Sequence, residues 1–263
     1  MPFPLAFSTL GCPGWNLDQI LTCAVDHGYR GIELRGYLDS MDLPAAGPFS
    51  PKERRRTRER FENAGIGFCC IGSSANAKTR DTDHVKAHCA LAADLGCPLV
   101  RVFPGEPTTD SAAILHEYGD IAAGYGVEIV LETHDHGSTG AQLAPLIAEA
   151  DHPAVGALWD LHHPFRQGEP PDATLAHLLP TLRHVHVKDS VDGHYCLPGD
   201  GDIPLRDMLG LLGRAGWRGT ISVEWEKRWH PEIAEPEIAL PAYAEFLTNL
   251  TGTPDSEKPP HRR

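Results

Sequence analysis

The chain has 263 residues, of which 41% are hydrophobic, and its formal charge is −13 when the histidines are neutral. The length fits one α/β barrel of roughly 250 residues, and the apolar fraction excludes a disordered chain. The acidic balance argues against nucleic acid as the main partner, because phosphate binding depends on clustered cations. No apolar run approaches the roughly 20 residues of a membrane span, and the first residues lack the pattern of a secretory signal. Together with seven irregularly spaced cysteines, these features predict a cytoplasmic protein with reduced thiols.

Short β-rich segments alternate with helical patterns along the chain. The predicted strands are Leu5–Leu10, Gly31–Arg35, Ile66–Gly72, Leu99–Phe103, Val127–Thr133, Val155–Asp160, His184–Lys188 and Thr220–Trp225. The predicted helices are Leu17–His27, Pro51–Asn63, Asp83–Leu95, Ser111–Tyr125, Ala141–Glu149, Asp172–Leu179, Leu205–Arg214 and Ile238–Leu250. Eight alternating units of parallel strand and helix predict a single (β/α)8 TIM barrel. A doubly wound open sheet is the alternative, but no Gly-x-Gly-x-x-Gly turn follows the first strand.

The pattern predicts one barrel domain over residues 1–250, with no linker that would divide it. The remaining segment, Thr251–Arg263, is polar and rich in proline and has no apolar periodicity. This composition predicts a disordered tail. The sequence leaves the oligomeric state open, and a homo-oligomer is compatible with it.

Ionisable residues concentrate on one face of the predicted strands, close to their C-terminal ends. Side chains alternate between the two faces of a strand, so Val130, Glu132 and His134 share a face. The same alternation places these further residues inward: Glu33, Arg35, Arg101, Asp160, His184, His186, Lys188, Ser222, Glu224 and Glu226. A structural network of ion pairs would satisfy them. A functional site is favoured, because TIM barrels carry their active sites at the C-terminal end of the strands.

Four of these inward residues form a candidate metal centre. They come from the fifth to the eighth predicted strand and are Glu132, Asp160, His186 and Glu224. Three carboxylates and one imidazole suit Mn²⁺, Mg²⁺ or Co²⁺, with Zn²⁺ as a further option. We therefore expect one divalent ion, with Mn²⁺ ranked first. Open coordination positions would accept two oxygens of a polyol or hydroxyketone.

Several segments around these residues resemble the xylose isomerase-like superfamily, also called sugar phosphate isomerase/epimerase proteins. They are Ser8–Gly11, Gly31–Arg35, Leu131–His134, Trp159–His163, His184–Asp189, Gly199–Pro204 and Ser222–Glu226. The similarity runs from Phe7 to about Leu250. The resemblance implies a metal bound by the four residues named above. It also implies that Glu132 and Glu224 act as acid/base groups beside the substrate carbon.

Within that superfamily, the neighbouring residues resemble two different branches. His163 matches the histidine that contacts substrate in tagatose epimerase-like members, three residues after the metal-binding aspartate. Those members also carry an arginine shortly after the metal-binding histidine, and the segment Asp189–His194 contains none. The ending His186–Asp189 is more similar to inosose dehydratases, in which case Lys188 would polarise a carbonyl or bind an anionic group.

Three further residues are candidates for contact with a substrate. His134 would serve as a base or hydrogen-bond donor toward substrate, or it is a plain rim histidine. Arg101 would bind substrate oxygens, or it pairs with Glu132 or Glu33. Trp15, in the loop after the first strand, would stack on a sugar face or pack over the barrel mouth.

The favoured hypothesis is a metal-dependent isomerase or epimerase that acts on a keto-sugar or keto-polyol through an enediolate, with Glu132 and Glu224 as the acid/base pair. The alternative is a lyase of the same superfamily, either an inosose dehydratase or a keto-glycoside eliminase that uses His134. An apurinic-site endonuclease ranks lower, because the second and third strands lack that family's extra histidines. A non-catalytic sugar-binding protein also ranks lower, because the four-ligand set is intact. The expected partner is a small carbohydrate or cyclitol.

Overall fold

The computed structural model describes residues 3–252, and a closed barrel of parallel strands lies at its centre. The strands are β1 (Leu5–Ser8), β2 (Gly31–Leu34), β3 (Gly67–Asn76), β4 (Leu99–Phe103), β5 (Glu128–Glu132), β6 (Val155–Asp160), β7 (Leu182–Val187), β8 (Asp189–Val191), β9 (His194–Cys196) and β10 (Thr220–Val223). The barrel closes in the order β1-β10-β7-β6-β5-β4-β3-β2. The predicted (β/α)8 TIM barrel is therefore confirmed. The small antiparallel hairpin of β8 and β9 was not predicted.

Helices follow the barrel strands on the outside. They are α1 (Leu17–Asp26), α2 (Arg54–Asn63), α3 (Thr82–Leu95), α4 (Ser111–Gly124), α5 (Gly140–Ala150), α6 (His162–Arg166), α7 (Pro171–Leu178), α8 (Leu205–Arg214) and α9 (Pro236–Gly252). Local chemistry fixes several of their ends. The side chain of Asn16 caps α1 by accepting hydrogen bonds from the backbone N–H groups of Asp18 and Gln19. Gly96 ends α3 in the left-handed conformation, with φ at 68°.

Two separate apolar clusters hold the barrel together. The larger one lies between the strands and the helices and includes Leu131. The smaller one, which we call the lower inner layer, consists of Cys70, Leu99, Val130 and Leu158. Because side chains alternate along a strand, Val130 and Leu158 lie two residues before Glu132 and Asp160 on the inner face. The apolar layer thus supports a layer of ionisable groups one step nearer the C-terminal ends of the strands.

A bulge on β7 determines which of its side chains face inward. The register of β6 against β7 shifts between Ala157 and Leu158, which leaves Arg183 as an extra residue on β7. Glycine is required opposite the bulge, since a Cβ atom on Gly156 would lie 2.7 Å from Arg183 Cγ. Beyond the bulge, His184 lies fully buried inside the barrel, as the alternation predicts.

The segment after β7 is organised around the carboxylate of Asp189. Its Oδ1 atom accepts hydrogen bonds from the backbone N–H groups of Ser190 and Ile203, at 2.9 and 3.3 Å. Its Oδ2 atom accepts from those of Gly199 and Gly201, at 2.8 and 3.3 Å. A Cβ atom on Gly201 would lie only 2.0 Å from Asp189 Oδ1, so this position requires glycine. The Gly199–Pro204 motif therefore has a structural explanation.

None of the helices between residues 3 and 252 combines the length and apolar character that a membrane crossing requires. The last helix, α9, ends at Gly252, and the predicted disordered tail beyond it lies outside the described residues. The single domain over residues 1–250 remains a prediction, and the oligomeric state remains open.

Candidate metal centre and active site

The four predicted metal ligands come together at the C-terminal end of the barrel. Glu132 ends β5, Asp160 ends β6, His186 lies on β7, and Glu224 directly follows β10. All four are buried, and one ligand atom from each lies within 4.8 Å of the others. The backbone N–H of Glu224 still donates to the carbonyl of Val187 at 3.1 Å, which holds Glu224 in line with its strand.

The imidazole of His186 occupies the middle of this group. Its Nδ1 atom lies 3.3 Å from Glu132 Oε1, 3.5 Å from Glu224 Oε2 and 3.9 Å from Asp160 Oδ2. The other ring nitrogen, Nε2, donates to Glu33 Oε2 at 2.9 Å. His186 therefore presents Nδ1 to the three carboxylates while Glu33 fixes the orientation of the ring.

Glu33 reaches across from β2 and binds two histidines at once. Its Oε2 atom also accepts a hydrogen bond from His184 Nε2, again at 2.9 Å. Burial alone would raise the pKa of Glu33, but the charge of His186 and the hydrogen bonds from both rings hold it below its usual range. A carboxylate behind a metal-binding histidine fixes the ring's orientation and raises its basicity.

Asp160 is held by bonds that leave one oxygen directed into the site. Thr133 Oγ1 accepts the backbone N–H of Asp160 at 2.9 Å and donates to its carbonyl at 3.3 Å. Asp160 Oδ1 accepts the backbone N–H of His162, the first residue of the short helix α6, at 2.8 Å. The remaining oxygen, Oδ2, faces His186 and Lys188.

The ammonium group of Lys188 lies among three carboxylates. Its Nζ atom is 2.7 Å from Asp160 Oδ2, 2.5 Å from Glu224 Oε2 and 2.8 Å from Glu226 Oε1. Burial alone would lower the pKa of Lys188, but Asp160 and the two glutamates raise it well above its usual value. The lysine therefore carries a positive charge here and directs its hydrogen bonds into the centre of the site.

The two glutamates assigned to proton transfer are both held in the ionised form. Burial would raise the pKa of Glu132, but Arg101 and His186 lower it to about 2. The same opposition acts on Glu224, where Lys188 and His186 hold the pKa well below its usual range. At neutral pH each glutamate is an acceptor of protons rather than a donor.

Two imidazoles lie at the rim above this centre. The rings of His134 and His163 approach to 4.7 Å, and His134 also lies 4.7 Å from the ring of Phe103. Nδ1 of His134 is 2.9 Å from Asp135 Oδ1, and Nε2 of His163 is 3.7 Å from Asp160 Oδ2. Burial and then Lys188 lower the pKa of His163 to about 3, so its ring is neutral at physiological pH.

The other two predicted substrate contacts have partners within the protein. Arg101 is 1% exposed, and its Nε atom lies 3.2 Å from Glu132 Oε2, which is one of the ion pairs expected from the sequence. The indole Nε1 of Trp15 donates to Glu237 Oε1 at 3.0 Å, and the residue is 8% exposed. Their roles toward a substrate remain predictions.

The donor set fits a divalent ion. Glu132 Oε2 and Asp160 Oδ2 are fully buried, and each faces one cation, Arg101 Nε at 3.2 Å and Lys188 Nζ at 2.7 Å. Buried carboxylates need cations as partners, whether side chains or a metal ion. Three carboxylate oxygens and one imidazole nitrogen are ligands for Mn²⁺, Co²⁺ or Zn²⁺.

The family model of the xylose isomerase-like TIM barrel matches residues 21–250 of this sequence. The chain belongs to that family. An inosose dehydratase of Bacillus thuringiensis (strain Al Hakam) is 32% identical over 175 residues, which are 57% of this chain and 57% of the relative. The match therefore spans less than two thirds of that curated relative.

Solved structures share the barrel of this xylose isomerase-like protein over nearly its whole length. An L-ribulose 3-epimerase superposes with a TM-score of 0.75 and 19% identity, covering 98% of this chain and 100% of the other. The IOLI protein with a bound zinc atom gives a TM-score of 0.75 and 20% identity, covering 94% and 97% of the two chains. At these identities the likeness shows the fold alone.

Three further residues of this xylose isomerase-like barrel lie at the site but were not predicted there: Glu33, His184 and Glu226. All three lie on predicted inner faces, so the alternation supplied a signal for them. Their partners come from other strands, however, and Glu33 reaches from β2 to β7. His162, whose Nε2 lies 3.0 Å from Ser190 Oγ, was also unassigned and lies outside every predicted element.

Proposed function

We propose that this protein is a divalent-metal-dependent dehydratase that acts on a keto-cyclitol or a related keto-polyol. The observation that carries the proposal is the buried set of Glu132, Asp160, His186 and Glu224, with ligand atoms within 4.8 Å of one another. The choice of dehydration is supported by the similarity to an inosose dehydratase. We therefore rank the lyase alternative above the isomerase or epimerase that the sequence favoured first.

The metal would be held by the three carboxylates and by Nδ1 of His186, because Nε2 of that ring is bonded to Glu33. When bound, such an ion supplies a Lewis acid that stabilises negative charge developing on a substrate carbonyl oxygen. Mn²⁺ remains the first choice for the ion. Zn²⁺ is supported by the zinc atom in the structurally similar IOLI protein.

Dehydration beside a ketone needs one group that removes a proton and another that assists the leaving hydroxyl. In this proposal, a carboxylate of Glu132 or Glu224 takes the proton from the carbon next to the carbonyl. The electron pair released forms the new carbon–carbon double bond as the β-hydroxyl leaves. His134 protonates that hydroxyl so that it leaves as water, and the Asp135 carboxylate lies 2.9 Å from Nδ1 of its ring.

Epimerisation at the carbon next to the carbonyl is the second candidate. Glu132 ends β5 and Glu224 follows β10, on either side of β6 and β7, and in this reaction the two carboxylates would act on different faces of one substrate carbon. The fold likeness to an L-ribulose 3-epimerase is compatible with this reaction.

Incubation of the Mn²⁺-loaded protein with a keto-inositol in D₂O separates the two reactions. We expect the substrate to lose water and to give an enone, which ultraviolet absorbance and mass spectrometry would detect. Recovery of the substrate or its stereoisomer with deuterium, and no enone, would contradict dehydration and support epimerisation. His134→Ala should lose enone formation with its metal retained, whereas His136→Ala, an exposed histidine two residues away, should behave as wild type.

Metal content is a separate test of the site. We expect one divalent ion per chain by elemental analysis, and chelation should abolish activity until Mn²⁺ or Co²⁺ is returned. Asp160→Ala should lose the ion, because it removes one of three anionic ligands. Two or three tightly bound ions per chain would show that the single-ion centre is wrong.

A further inference from the structure

Two buried arginines line the wall of the barrel that faces the metal centre. Arg101 lies on β4, opposite β10 in the closed strand order, and Arg35 follows β2, opposite β6. Only 8% of Arg35 and 1% of Arg101 is exposed. The guanidinium groups therefore face the site from the side that carries none of the four predicted ligands.

A glycine brings these two side chains together. A Cβ atom on Gly72 of β3 would lie 2.6 Å from Arg35 Cδ and 3.2 Å from Arg101 Nη2. Both arginines thus run over the same backbone position, which no other residue type would leave open. Burial, and after it the charge of Arg101, lowers the pKa of Arg35 to about 10, so the Arg35 guanidinium remains charged at neutral pH.

The hydrogen-bonding capacity of this pair is largely unused within the protein. Each guanidinium has five N–H donors. Arg101 contacts Glu132 through Nε, stacks 3.8 Å over the ring of Phe103, and has no hydrogen-bond partner at Nη1 among the described residues. Arg35 donates to Ser74 Oγ at 3.3 Å, and no carboxylate between residues 3 and 252 lies within 4.0 Å of it.

A buried guanidinium is costly unless it is paired, because it has lost most of its hydration. Arg101 has one ion-pair contact, whereas Arg35 has the hydrogen bond to Ser74 and only the longer-range charges of the glutamates in the site. Two adjacent guanidiniums match the two oxygens of a planar carboxylate, which accepts paired N–H donors in a bidentate manner. Ser74, the partner of Arg35, is exposed, so the pair lies on the route from solvent to the centre.

We propose that Arg35 and Arg101 bind a carboxylate group of the substrate, so that this protein acts on a keto-polyol acid in preference to an uncharged keto-polyol. The inference rests on the proposed function, since it names the substrate class of the same site. Arg35 is the specificity-determining residue of the pair, because Arg101 also supports Glu132.

The test compares two ligands with the same carbon skeleton, 5-keto-D-gluconate and L-sorbose. The first has a carboxylate where the second has a hydroxymethyl group. Calorimetric titration of the Mn²⁺-loaded protein should show at least about 10-fold tighter binding of the keto acid, in line with a charged hydrogen bond. Equal affinities, or no measurable binding of either ligand, would overturn the proposal.

Variants of Arg35 complete the experiment. Arg35→Gln should weaken keto-acid binding by about 10-fold or more and leave L-sorbose binding unchanged, while Arg35→Lys should restore part of the loss. Arg30→Gln removes an exposed arginine at the other end of β2 and should change neither affinity. Melting temperatures close to that of the wild type would show that the variants fold. An equal loss for both ligands in Arg35→Gln would overturn the assignment.

The outcomes separate this inference from the proposed function. Selective binding of the keto acid without any dehydration of keto-polyols would leave the carboxylate site in place and refute the dehydratase. Dehydration of keto-inositol without tighter binding of the keto acid would support the dehydratase and refute the carboxylate site.

Discussion

The inner face of this barrel has two levels that differ in chemistry but are only two residues apart. The lower inner layer of Cys70, Leu99, Val130 and Leu158 is built from apolar side chains that pack on one another. The residues one step further, including Arg101, Glu132 and Asp160, are charged and equally buried. One pleat of a strand, about 6.6 Å, therefore separates a packing surface from a reactive one.

Packing residues and ionisable residues thus occupy neighbouring inward positions on the same strands. Substitutions in the lower layer should affect unfolding and leave metal binding alone. Substitutions in the upper layer should affect metal binding or turnover and leave the barrel folded. The following predictions test this division.

The largest expected effect is on turnover. Glu132→Gln and Glu224→Gln each remove a base while keeping an oxygen ligand, and general acid–base groups contribute roughly 10²–10⁴-fold. We expect kcat to fall by that range with metal content retained, measured by enone formation and elemental analysis. Glu128→Gln, at the opposite end of β5, is the matched control. A Gln variant with full metal and wild-type turnover would remove that glutamate from proton transfer.

In the lower layer, Leu158→Ala should destabilise the protein by about 2–5 kcal/mol, because it leaves a cavity among residues that cannot fully close it. Denaturant unfolding of the metal-free protein measures this change. Metal stoichiometry and turnover at low temperature should match the wild type. Loss of the ion in a variant that is still folded would show that the two layers are not independent.

Glu33→Gln tests whether the upper layer acts as a unit across the barrel. The change removes the charge that orients His186 from behind, and such partners are typically worth 10–100-fold in metal affinity. Competition with a chromogenic chelator measures the affinity. Glu62→Gln, at an exposed position of α2, should leave the metal affinity unchanged. An unchanged affinity in Glu33→Gln would show that the four ligands alone position the ring.

The smallest effect concerns a buried histidine outside the barrel. Nδ1 of His88 donates to the carbonyl of His84 at 2.8 Å, and burial lowers the pKa of His88 from 6.5 to about 4. Between these values the unfolded chain binds more protons, so the stabilising effect of the neutral ring is complete above pH 6.5 and declines as the pH falls toward 4. At pH 5.5 the loss is about 1 kcal/mol.

His88→Gln should therefore reduce the difference in unfolding free energy between pH 7.5 and pH 5.5, measured in urea. His27→Gln, an exposed histidine, should leave that difference unchanged. The same pH dependence in His88→Gln and wild type would assign the acid sensitivity to other groups.

Much of the fold and of the candidate metal centre follows from local sequence. The alternation along β5 and β6 predicted that Glu132 and Asp160 face inward, and both do. The partners of Glu33 could not be predicted, since they depend on the closure of the barrel and the bulge at Arg183. These are properties of strand register rather than of any one segment.

One missed element did have a local signal. Asp192 and Gly193 form the two-residue turn between β8 and β9, with φ values of 50° and 79°. An Asp-Gly pair is favoured in turns where both residues have positive φ. The prediction failed because the strands on either side are short, not because the sequence lacked the pattern.

The Asp189 carboxylate, which accepts four backbone N–H groups from the segment that follows, has a consequence for protein engineering. The conformation of the segment from Ser190 to Ile203 is held by hydrogen bonds to Asp189, which precedes it. It also requires glycine at position 201, within the segment. A chimaera that carries a relative's version of this loop should fold only when the residues equivalent to Asp189 and Gly201 are transferred together. The positions of the loop that do not bond to Asp189 are the ones to vary in a library.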